Sequence, residues 1–162
     1  MNYNDYVDEH GNVGLSSDAY NKEYKAYNVY PTVIAANNNM KLINAGSSGM
    51  PSYLTAYPGT KTSFYEYVPT LSNEISTADY MTFMFGLNDS GSIGVSTDTE
   101  PTTMWGAWNN ILSTVLSCNP KIKLGIISPD GWLSQSHENA FIDIGKVWGI
   151  PVLDLKSEYV PF

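Results

Sequence analysis

From residue 80 onward the chain alternates two kinds of apolar pattern, and that alternation restricts the fold more than any other feature. Residues 80–85, YMTFMF, are a short apolar run of the kind carried by a strand buried on both faces. Met104, Trp108, Ile111, Leu112 and Val115 then fall at i, i+4, i+7, i+8 and i+11. That spacing is one face of a helix, which starts near Pro101 and is stopped by Asn119 and Pro120. Residues 121–128, KIKLGIIS, read as the next strand. Ser134 or Ser136 caps a further helix with Phe141, Ile144 and Trp148 on its face and Gly149 at its end. Residues 150–155, IPVLDL, are the last strand. Upstream, residues 41–45, KLINA, form a short strand, and residues 61–75 are helical in part, with an interruption at Pro69.

Strands that alternate with helices imply parallel pairing through right-handed crossovers, hence an α/β class chain with α/β/α layers around a parallel sheet. A length of 162 residues suits one domain, and neither an internal repeat nor a long linker divides it. Residues 1–17 are rich in Asn, Asp, Tyr, Gly and Ser and read as an irregular N-terminal loop. A polar helical stretch at 19–27 follows. Pro31 restarts it as a second piece whose apolar face is Val29, Val33, Ile34 and Ala36.

The charge balance narrows the partners. Net charge is −8, and all eight basic residues are scattered lysines. Phosphate backbones are gripped by clustered Lys and Arg, with Arg supplying the bidentate contacts. Nucleic acid and anionic membrane surfaces are therefore poor partners. No run approaches the roughly 20 apolar residues that span a bilayer, and no signal peptide is visible at the start. The single cysteine, Cys118, excludes an internal disulfide and a cysteine-cluster metal site. No cofactor is expected. A nucleotide-binding doubly wound domain would need a Gly-rich phosphate loop, and none is present.

Ligands of an open parallel sheet bind outside the carboxyl ends of its strands. Three strand exits carry unusual residues: Asn44-Ala45-Gly46-Ser47-Ser48-Gly49, then Gly86-Leu87-Asn88-Asp89, then Pro129-Asp130-Gly131-Trp132. Asn88 followed by Asp89 is also an ordinary turn pair, and Gly49 can be a turn glycine. Trp132 suits an exposed ring that stacks on a sugar, and equally a lid over the core. Ser47 and Ser48 read as loop hydroxyls. His10 lies in a solvated acidic stretch, DEHGN, and His137 at a helix start reads as a capping-turn residue.

The segments INAGSSG, FGLND, and PKIKLGIISP with WGIPVLDL resemble the second block, the third block and the last two strands of the SGNH (GDSL-type) hydrolases. The resemblance covers roughly residues 29–155. It implies a flavodoxin-like fold with strand order 2-1-3-4-5 and an ester hydrolase activity by serine acyl transfer. In it, Gly49 (by its backbone N–H) and Asn88 (by its side-chain amide) form the oxyanion hole. Gly46, Gly86 and Asp89 support the loops; Trp132, on its residue type alone, is the candidate substrate contact.

Two family motifs have no counterpart: the opening Gly-Asp-Ser that carries the nucleophile and the closing Asp-x-x-His that carries the base. The expectation is a fragment of the family pattern, missing its first strand, inactive alone and supplying the oxyanion part of the site. Acyl or acetylated-glycan esters are the substrate class, with the many Tyr and Trp residues favouring glycans. The alternative is an inactive carbohydrate-binding module of this fold, in the style of surface or phage tail proteins and hence extracellular or virion-associated.

Overall fold

The computed structural model describes residues 6–7, 13–14, 30–47, 49–54, 62–128 and 134–155. The chain divides into two compact units, Met1–Ser48 and Gly49–Phe162, at the short Gly/Ser stretch of residues 46–49.

In the first unit, β1 (Tyr6–Val7) pairs antiparallel with β2 (Val13–Gly14), and β2 pairs parallel with β3 (Ile43–Asn44). Both β1 and β2 fall in the stretch that the sequence assigns to loop. A two-residue strand among Asn, Asp and Gly carries no apolar run or alternation, so periodicity cannot find it. The strand at 43–44, expected to lack its neighbour, has β2 as a parallel partner. Between them lies α1 (Tyr30–Asn37). Its expected apolar face is the outward one: Val33, Ile34 and Ala36 are exposed and Ala35 is buried. Over two turns, positions 33, 34 and 36 spread across an arc rather than forming a stripe.

The second unit is a three-stranded parallel sheet flanked by helices. Strands β4 (Tyr80–Met84), β5 (Lys123–Ser128) and β6 (Val152–Asp154) lie side by side in that order. Tyr80 is opposite Lys123, and Ser128 is opposite Asp154. Ahead of the sheet, α2 (Phe64–Tyr67) passes through a 3₁₀ turn (Val68–Leu71) into α3 (Ser72–Thr77). Ser63 and Glu66 form a reciprocal capping box at the start of α2, and Pro69 lies in the 3₁₀ turn, where the missing N–H is tolerated.

The crossover helices are α4 (Met104–Cys118) and α5 (Gln135–Trp148). All five residues of the α4 stripe are at 0% exposure, so the periodicity located the core. Thr103 caps α4 by accepting from the Gly106 N–H, and Ser134 caps α5 by accepting from the His137 N–H. Gly149 closes α5 in the left-handed conformation, φ 66°. Where α5 crosses β6, Gly145 is required by space: a Cβ there would collide with Val152 and lie 2.8 Å from the Ile150 carbonyl oxygen. Among the described residues no helix is long and apolar enough to cross a membrane.

Candidate active site

Strand β4 ends in an aromatic layer. Phe83 meets Trp108 edge to face at 5.4 Å, and Phe85 stacks at a tilt on Phe64 at 4.8 Å between ring centroids. The chain then leaves the sheet through Gly86, which is buried and has φ 121°, a conformation hostile to any side chain. The Asp89 N–H donates back to the Gly86 carbonyl at 3.0 Å and closes the turn.

Asp89 is the most heavily engaged polar group at this edge. Its carboxylate accepts from the Ser52 N–H at 2.6 Å and from the Ser52 hydroxyl at 2.6 Å. Ser52 is fully buried, and its Oγ accepts in turn from the Trp108 indole N–H at 3.0 Å. Burial raises the Asp89 carboxyl above its usual value of 3.8, against the opposing pull of the Ser52 hydrogen bonds and of His137. The segment carrying Ser52 is anchored elsewhere as well. Leu54 N–H donates to the Pro101 carbonyl, and the N–H groups of Phe64 and Tyr65 donate to the carbonyls of Pro51 and Ser52.

Tyr53 is 1% exposed, and its hydroxyl lies 3.3 Å from His137 Nε2. The other ring nitrogen, Nδ1, is 2.8 Å from the hydroxyl of Ser134, the cap of α5. Burial, and then the charge of Asp89, push the Tyr53 phenol up to about 12.

The residues singled out from the sequence divide as follows. Gly49 (φ 78°) and Asn88 are both exposed. Among the described residues the Asn88 side-chain amide makes no hydrogen bond, in contrast to its neighbour Asp89. The bonds between Asp89 and Ser52 bring the chain three residues beyond Gly49 against the residue after Asn88. Gly46, in the first unit, donates its N–H to Asn44 Oδ1 at 3.0 Å. The parallel register places the carboxyl ends of β4 and β5 on one edge. Trp132, Ser48 and His10 lie outside the described residues. Cys118 is a half-buried free thiol. Among the described residues no three His, Cys, Asp or Glu side chains gather as metal ligands would.

The arrangement is comparable with known structures. It is similar to a protein from Lactobacillus plantarum (TM-score 0.64, 21% identity, covering 82% of this chain and 73% of that one). Two Bacteroides proteins described as GDSL-like lipases also match. The one from Bacteroides uniformis has TM-score 0.70 and 18% identity, over 85% of this chain and 68% of that one. The one from Bacteroides ovatus has TM-score 0.59 and 16% identity, over 80% of this chain and 66% of that one. The fold is that of the GDSL-like lipases. No family model matches the sequence, and no curated protein does. Identities this low carry the GDSL-like fold and not the chemistry.

Sequence reasoning missed Ser52, Tyr53 and the partner role of His137. Their contacts span 37 and 84 residues of chain, and no local pattern announces them. It also missed β2 (Val13–Gly14), the parallel partner of β3.

Proposed function

We propose that the chain is an ester hydrolase domain of the SGNH type, with Gly49 and Asn88 as the oxyanion donors of serine acyl transfer. The observation that carries this reading is the contrast at the β4 exit. Asp89 is tied down by Ser52, while the amide of the adjacent Asn88 is exposed and uncommitted. An uncommitted side-chain amide next to an anchored residue is suited to an oxygen that gains charge as the reaction proceeds. Asp89 acts here through Ser52, as a brace for the segment after Gly49. Acyl or acetylated-glycan esters are the proposed substrates.

In this reading no residue of this chain is assigned as the nucleophile or the base. His137 is not the base in this reading, since Nε2 faces Tyr53 and Nδ1 faces Ser134.

Hydrolysis of p-nitrophenyl acetate by the full product of the gene tests the assignment. Asn88→Ala should lower kcat by about 10²–10³-fold, the usual loss for one oxyanion donor. Ser48→Ala should leave turnover unchanged, and its loss there would make Ser48 the nucleophile. An inactive wild type that binds a glycan would replace the enzyme with the binding module.

A further inference from the structure

Three stretches of the second unit meet at one phenol. Tyr53 brings the segment that begins at Gly49, and its hydroxyl faces His137 at the first turn of α5. Gly91, in the loop after β4, has φ 134°, and a Cβ there would stand 3.6 Å from the same hydroxyl. His137 has little freedom. Its ring is bonded to Ser134, and Ser134 also caps the helix through the His137 N–H. Ser134 Oγ lies 2.9 Å from Ser136 Oγ. With the ring proton on Nδ1, Tyr53 donates to Nε2, Nδ1–H donates to Ser134 and Ser134 donates to Ser136; with it on Nε2 the three directions reverse. A phenol that keeps its proton to about 12 suits the donor role.

The backbone of this segment is held by Asp89, by the Pro101 carbonyl and by the N–H groups of Phe64 and Tyr65. The bond from Tyr53 to His137 adds a side-chain anchor on α5. We infer that Tyr53 and His137 are positioning residues that set the orientation of the Gly49 N–H. The inference rests on the reading of Gly49 as an oxyanion donor. A misplacement of about 1 Å in such a group is enough to cost rate without costing binding.

The experiment uses Tyr53→Phe, which keeps the buried ring and removes the hydroxyl, together with His137→Leu and His137→Gln. In ¹⁵N NMR of the full chain, the Gly49 amide resonance should shift and its order parameter fall in Tyr53→Phe and in His137→Leu. The resonances of Ile111 and Leu112 should stay in place. His137→Gln, whose amide oxygen can accept from Tyr53, should restore the wild-type Gly49 signal. On ester substrate, kcat should drop about tenfold with KM within about twofold. The double variant Tyr53→Phe/His137→Leu should be no worse than either single one. An unmoved Gly49 amide in both single variants, or losses that add in the double, would overturn the inference. The NMR arm decides this even if the wild type hydrolyses nothing, an outcome that would sink the hydrolase reading instead.

Discussion

Two layers of the second unit lie against each other and are built on opposite principles. The lower is aromatic: Phe64, Phe83, Phe85, Trp108 and Phe141, with Trp108 edge-on to Phe83 and, at 5.3 Å, to Phe141. The upper is polar: Ser52, Asp89, Tyr53 and His137. Dispersion and area hold the first, and each ring there has several neighbours. The second is held by directional bonds, so losing one member leaves its buried partner unpaired. Trp108 belongs to both, with its ring in the lower layer and its indole N–H on Ser52. The aromatic layer can lose part of a contact and adjust, whereas the polar layer fails at the bond that is cut.

Trp108 can separate the two. Trp108→Ala should cost about 3–5 kcal/mol, the range for truncating a large buried aromatic. Trp108→Phe keeps ring contacts but withdraws the donor to Ser52, and should cost about 1–3 kcal/mol by leaving a buried acceptor unpaired. Urea unfolding of both variants gives the two figures. If Trp108→Phe equals wild type, the polar layer is not anchored through the indole and the comparison collapses.

The lower layer was also the legible one. Five apolar residues at helical spacing located α4 to within three residues of its start at Met104, and all five are buried. Phe141 and Ile144 found the face of α5, while Gly149 and Ser134 marked its ends. Hydrophobic period is a local signal, and these elements are long enough to express it. The upper layer was legible only at Gly86, Asn88 and Asp89, whose exit loop has a recognisable pattern. That Asp89 would find Ser52, and Tyr53 find His137, depends on how the elements close up. Two-residue β2 was hidden for a further reason: two residues are too few to carry an apolar run or alternation that a pattern could show.

Asp89 sharpens the comparison in a way that pH can follow. Asp89→Ala removes both acceptors for buried Ser52 and should cost about 1–3 kcal/mol. Asp89→Asn, which retains one acceptor oxygen, should cost less. Burial holds the Asp89 carboxyl above 3.8, so the folded state binds this proton more tightly than the unfolded chain. Its contribution is fully present below 3.8 and is lost as pH rises through the raised value. Wild type should therefore gain on Asp89→Asn as pH falls from neutral toward about 4, the reverse of a salt-bridged carboxylate. The other carboxylates cancel in the difference. Urea midpoints that diverge in the opposite sense would mean that the Ser52 bonds outweigh burial.

The smallest effect lies at the far end of the pH scale. Tyr53 is one of 12 tyrosines, and burial followed by the Asp89 charge raises its phenol from 10.0 to about 12. A raised value means that the folded state keeps a proton which the unfolded chain has begun to release. The associated stability is whole below 10 and disappears as pH climbs through about 12. Wild type should lose stability relative to Tyr53→Phe across that interval and nowhere below it. Absorbance at the phenolate band should show one late-titrating phenol in wild type that is missing in the variant. If the two curves differ only by an early, ordinary phenol, Tyr53 is open to water, and the polar layer ends at Ser52 and Asp89 rather than reaching α5.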